Sequence, residues 1–208
     1  MKILKFVLIS IILLFILTGC GENQDHSEEN FAIPKNENSS SSNSYNNETN
    51  NSIDNSIITS TNVVSTFSTP IKDNSSGRLT NIAITCNTLN GTIIEPNETF
   101  SFNKLIGQPT AEKGYQEASI IIDHHTATGI GGGNCQVSST LYNAVLNLKN
   151  LTIVERHEHG KNVGYVPEGK DATVSYGSLD FKFRNDTGHR IRIDATADNN
   201  NVTINLVQ

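Results

Sequence analysis

The sequence sets one cysteine, two closely spaced histidines and an aspartate in an order that suits thiol chemistry. Cys135 follows Gly131-Gly132-Gly133-Asn134 and precedes Gln136, at the point where an apolar helical period begins. A thiol at a helix N-terminus meets unpaired backbone N–H groups and the positive end of the dipole, which favour the thiolate. Glycines before it let the chain approach a substrate closely and offer N–H donors to an oxyanion, with Asn134 or Gln136 helping to polarise a carbonyl. Downstream, His157 and His159 are candidates for the base, and on an extended strand their spacing of two points both to one face. Asp171 is the candidate third member, orienting the imidazole. Such a set performs acyl transfer or amide cleavage.

The same residues admit blander uses. Glycine runs serve tight turns, buried cysteines are common, and a His-x-His pair on a strand can be structural. Ser138, Ser139 and Thr140 follow the cysteine on the helix and suit local hydrogen bonds better than nucleophilic roles, while Tyr142 suits packing. His124, His125, Cys135, His157 and His159 are residue types that bind zinc, but no pair has a recognised ligand spacing, so no metal or other cofactor is expected. Cys86 lies on an apolar helical stripe and reads as a small core residue. A Cys86–Cys135 disulfide is the alternative, and it would abolish the thiol chemistry. The run Gly129-Ile130-Gly131-Gly132-Gly133 lacks the Lys-Ser/Thr of a phosphate-binding loop and the spacing of a dinucleotide fingerprint.

These groups must be positioned by a domain running from residue 63 to the C-terminus. Val63-Val64-Ser65-Thr66-Phe67, closed by Pro70, predicts an edge strand. Leu79, Ile82, Ala83, Cys86 and Leu89 predict a helix, with Asn74, Ser75 and Ser76 as capping candidates and Asn90-Gly91 as its stop. Ile120-Ile121-Ile122 predicts a strand feeding the glycine-rich turn. Val137, Leu141, Val145 and Leu148 predict a second helix from near Cys135 to Asn150. Ile153-Val154 opens a strand toward the histidines, and three period-two runs follow: Leu179, Phe181, Phe183; Ile191, Ile193, Ala195; and Val202, Ile204, Leu206. These predict an antiparallel meander with one buried face. The fold class is α+β, a largely antiparallel sheet packed by about two helices.

The segment from Gly131 through Cys135 to Ala144 resembles the signature of the VanW family almost residue for residue. Further blocks resemble that family as well: Phe100-Ser101-Phe102-Asn103, Gly114-Tyr115, Glu155-Arg156-His157-Glu158-His159, the run from Tyr165 to Val174, and the run from Asp180 to Asn185. Asn134 and Asn97 depart from the residues usual at their positions in the family, and neither change removes a candidate catalytic group. The resemblance implies an accessory role in cell-wall biology or glycopeptide resistance, with peptidoglycan or its precursors as ligand. Joined to the thiol layout, which is also that of papain-like and transglutaminase-like enzymes, it points to peptidoglycan stem peptides as substrate. The competing expectation is a non-catalytic module that binds the wall or assists a protein partner.

Ahead of the domain, Lys2 and Lys5 precede an apolar run from Phe6 to Leu17, the pattern of a secretory signal over residues 1–19. Leu17-Thr18-Gly19-Cys20 resembles the bacterial lipobox, which implies cleavage before Cys20 and its lipidation. Acyl chains of that kind anchor a protein stably to a membrane, here on the extracytoplasmic face. Residues 20–62 are crowded with Asn, Ser and Glu without period, a composition that predicts a disordered tether. The net charge of −6 and pI near 5.5 provide no footprint for nucleic acid.

Overall fold

The computed structural model describes residues 62–122 and 125–208. The signal segment, Cys20, the tether up to residue 61 and His124 lie outside them. Alternating β-branched residues build the main sheet. β1 (Val63–Pro70) pairs antiparallel with β9 (Asn201–Val207), β9 with β8 (Ile191–Ala197), and β8 with β2 (Thr92–Ile94), in the order β1-β9-β8-β2. Ile191, Ile193 and Ala195 on β8 and Val202, Ile204 and Leu206 on β9 all face the core, as their period of two predicts. The two ends of the domain are neighbours, with Val63 opposite Val207.

Two helices cover this sheet. α1 (Ser76–Leu89) buries Gly77, Asn81, Ile82, Thr85, Cys86 and Leu89 on one stripe. It stops where Asn90 N–H donates to Cys86 O, Asn90 Oδ1 accepts from Ala195 N–H, and Gly91 turns the chain at a φ of 80°. α3 (Asn134–Leu146) is buried nearly all round, the mark of a helix at the centre of its domain. Its polar residues are therefore committed to internal partners: Ser65 Oγ donates to Ala144 O at 2.6 Å, and the Thr69 and Thr140 hydroxyls meet at 2.8 Å.

The rest of the chain forms two smaller sheets. β3 (Thr99–Ser101), β7 (Lys182–Asn185) and β6 (Leu151–Glu155) stand in the order β3-β7-β6, and β4 (Glu117–Ile122) pairs with β5 (His125–Ile130) as a hairpin. Between β3 and β4 lie a short helix, α2 (Phe102–Ile106), and one 3-10 turn.

The fold is thus α+β and mostly antiparallel, with three α-helices rather than two. Two local expectations are corrected. β7 does not extend the β8–β9 meander, because Asn185 ends it: its side-chain amide donates to Ile94 O and His189 O while its carbonyl oxygen accepts from Thr187, which turns the chain into another sheet. Gly129 and Ile130 belong to β5 rather than to the glycine turn, paired with Ala118 and Glu117.

Candidate functional site

The turn at 131–133 is tightly packed. Gly133 has a φ of 118°, and a Cβ there would stand 2.8 Å from Ile82 Cγ1. A Cβ on Gly132 would lie 2.5 Å from Ser119 O, so no side chain fits between the turn and β4. Asn81 pins the turn by donating to both Gly132 O and Gln116 O. Asn134 faces α1, where its Oδ1 accepts from Thr85 at 2.7 Å. From Gly131 to Val145 every residue is buried except Cys135, which is half-buried. Cys135 N–H has no acceptor among the described residues, whereas Asn134 and Gln136 N–H donate to Gly131 O and Gly133 O.

The segment 170–174 is strapped along the first turns of α3. Ser138 Oγ donates to Ala172 O at 2.6 Å, Ala172 N–H donates to Ser139 Oγ at 2.9 Å, and the Cys135 thiol donates to Val174 O at 3.4 Å. On the same strap, Asp171 Oδ2 accepts from His159 N–H at 2.7 Å and meets His159 Nδ1 at 2.5 Å. Asp171 Oδ1 accepts from Arg156 Nη2 at 3.0 Å, and that guanidinium stands over the Tyr142 ring at 5.1 Å. Burial alone would raise the Asp171 carboxyl, but the hydrogen bonds from His159 backbone and ring hold it below its ordinary range. His159 and Asp171 are thus a buried imidazole–carboxylate pair, with Asp171 on the strap that also engages Cys135.

The thiol itself is not electrostatically activated in this state. Burial pushes the Cys135 thiol up, against the lowering effects of the Val174 contact and the Arg78 charge, and Asp171 adds to the rise. This direction is opposite to the one that a helix-start position predicts from the sequence. Tyr165 is raised for the same main reason, with Cys135 and Asp171 adding to the rise and Ser139 and Arg78 opposing it. Gln136 does not face this space with a free amide. Its Nε2 donates to Thr69 Oγ1 and Pro70 O, which aims its Oε1 at Arg78 Nη2, 2.8 Å away. Arg78, in the first turn of α1, is a residue the sequence reading missed, because a single half-buried arginine on a helix edge carries no spacing signal.

His157 is not brought to Cys135. β6 ends at Glu155, so the two histidines do not share a strand face, and His157 Nε2 bonds Glu155 Oε1 at 2.9 Å. Glu155 also accepts from Lys182 at 2.7 Å and from Asp180 N–H, and these contacts, Lys182 first, hold its carboxyl down to about 2. Asp180 in turn receives Ser101 Oγ and Asn103 N–H. These residues border an open groove of about 700 Å³ with the exposed Tyr176 on its rim.

Cys86 and Cys135 are both free thiols, so the alternative disulfide is not formed. His125 is exposed on its hairpin, and no group of three or more His, Cys, Asp or Glu stands together as a metal site among the described residues.

Fold and site together define an α+β domain in which one strap touches a half-buried helix-start thiol and carries the carboxylate of a buried His–Asp pair. The chain belongs to the VanW family: the family described as VanW like protein matches residues 77–207. It is 43% identical over 136 residues to the uncharacterized protein YoaR of Bacillus subtilis (strain 168), covering 65% of this chain and 45% of that one. It is 36% identical over 129 residues to the vancomycin B-type resistance protein VanW of Enterococcus faecalis (strain ATCC 700802 / V583), covering 59% of this chain and 46% of that one. The chain therefore spans about half the length of these relatives. No solved structure matches it.

Proposed function

We propose that this protein is a cell-envelope thiol enzyme that acts on the stem peptides of peptidoglycan. Its family and the vancomycin-resistance name of the Enterococcus relative fit a role at the cell wall, and lipidation at Cys20 would hold the domain on the extracytoplasmic face of the membrane. The observation that carries the reaction is the buried His159–Asp171 pair, whose carboxylate lies on the strap that the Cys135 thiol also touches. His159 takes the thiol proton as Cys135 Sγ attacks a peptide carbonyl, and the Cys135 N–H, free of an acceptor, suits the developing oxyanion. The imidazolium then protonates the departing amine as the C–N bond breaks, leaving a thioester. A second amine or water, deprotonated by His159, attacks the thioester and returns the thiol. Asp171 fixes the imidazole tautomer and stabilises its charge, and Arg156 positions Asp171.

A second reading, a non-catalytic wall-binding or partner-assisting module, is favoured by one observation. The thiol is raised and rests on Val174 O, with no hydrogen bond to His159. Incubation of the protein with muropeptides from purified walls separates the two. A thioester adduct on Cys135 in intact-protein mass spectra, absent from Cys135→Ala and strongly reduced in His159→Ala, supports the enzyme. Binding to walls that survives all three forms equally, with no adduct or altered muropeptide, supports the module and overturns the enzyme.

A further inference from the structure

Arg78 lacks a close anion: its charge is felt at the exposed Asp73 carboxyl, but the two form no ion pair. Among the described residues no carboxylate pairs with it; its one hydrogen bond goes to the neutral amide oxygen of Gln136, and its buried Nε has no partner at all. Every other arginine with an ion pair here has a carboxylate within 3.0 Å, including Arg156 on Asp171 and Arg192 on Asp194. A half-buried guanidinium whose Nε is buried without an acceptor gains from any anion that reaches it. Its position is also specified: Gln136 is locked by Thr69 and Pro70, so its Oε1 fixes Arg78, whose charge is felt at the Cys135 thiol. Asp171, whose charge is felt at Cys135, already serves His159 and Arg156.

We propose that Arg78 is the receptor for a free carboxylate of the ligand, seated beside the Cys135 thiol. Resting on the thiol-enzyme reading, the acyl donor is then a peptide whose departing residue is carboxy-terminal, because its α-carboxylate lies one residue from the carbonyl under attack. The planar fork of the guanidinium donates two parallel N–H···O bonds to such a carboxylate, which a lysine cannot reproduce. Gln136 is the positioning residue that aims the fork. A neutral or amidated peptide end would leave the arginine unpaired and bind less well.

Two alkylating reagents test the receptor without requiring turnover. Iodoacetate and iodoacetamide present the same reactive carbon to Cys135, but only iodoacetate carries a carboxylate. Arg78 also influences the thiol itself, yet that influence acts on both reagents and cancels in the ratio of their rates. The expected result is an iodoacetate-to-iodoacetamide ratio about ten-fold higher in the wild type than in Arg78→Gln, with Arg78→Lys between them. Equal ratios in folded wild type and Arg78→Gln overturn the receptor. Should Cys135 resist both reagents, the Cys135→Ala protein decides by calorimetry. Muropeptides with a free terminal carboxylate then bind at least ten-fold more tightly than their carboxy-terminal amides, and Arg78→Gln removes the difference. No preference for the acid overturns the proposal. A receptor without an acyl adduct would leave Arg78 standing and sink the enzyme instead.

Discussion

Replacing Asp171 with Ala deletes one carboxylate that serves three donors: Arg156 Nη2 at 3.0 Å, His159 N–H at 2.7 Å and the His159 ring at 2.5 Å. All sit inside the domain, with Asp171 and His159 side chains 8% and 3% exposed. Removing one member of such a buried charged network costs about 3–5 kcal/mol, since the others lose their partner without regaining water. For a domain of this size, about 2–4 °C of Tm per kcal/mol translates that into a fall of roughly 6–20 °C. The pH dependence follows from the same contacts. The folded-state carboxyl is held below its ordinary value of 3.8, so its stabilisation is complete above that value and fades as pH falls through the folded one. The gap between thermal melts of wild type and Asp171→Asn should therefore close as pH falls below about 4. A fall of under about 2 °C in Asp171→Ala, or a gap that persists unchanged into strong acid, would refute the role of this carboxylate in holding His159.

Iodoacetamide labelling of native Cys135 should climb with pH and reach half its maximal rate above about 8.5, the ordinary thiol value, because burial raises this thiol; a rate already maximal at neutral pH would contradict that. Cys86, 1% exposed and pushed up to about 12, should stay unlabelled until the domain unfolds, as peptide mapping can check. Gly133→Ala forces a Cβ to 2.8 Å from Ile82 Cγ1 at a φ of 118°, and urea denaturation should show a loss of about 2 kcal/mol or more. Phe181 is fully buried between Tyr142 and Phe183, and Phe181→Ala should cost about 3–5 kcal/mol in the same assay.

The parts of the fold legible in the sequence are those whose period is local. The stripe of α1 and the alternation of β8 and β9 are fixed by residues a few positions apart, and the structure keeps them. α2 escapes notice because five residues, capped by Ser101 Oγ on Lys104 N–H, are too few for a helical period. The assignment of β7 to a different sheet is set by Asn185 bonding Ile94 O, 91 residues away, and no local pattern encodes that contact. The divergence of His157 and His159 has the same origin. A period-two inference holds only while the strand continues, and β6 ends at Glu155 after a register shift following Ile153.

The long match from Gly131 to Ala144 identifies the family without separating residues the fold requires from residues it does not, and burial supplies that distinction. Ser139 and Thr140 hydroxyls close on the carbonyls of Cys135 and Gln136, Asn143 spans Ser139 O and Lys170 O, and Asn134 is bound to Thr85. A helix surrounded by protein must satisfy every polar group internally, so these residues are required by the position of α3 before any chemistry is considered. Gln136 belongs with them, since its amide is spent on Thr69, Pro70 and Arg78. Cys135 alone in the run reaches solvent, and its sulfur has no structural duty beyond one long contact to Val174 O. A core cysteine would be served better by full burial, as Cys86 is. The half-buried position at the head of a helix otherwise almost wholly enclosed is what supports the proposal that Cys135 is the point where the motif meets its ligand.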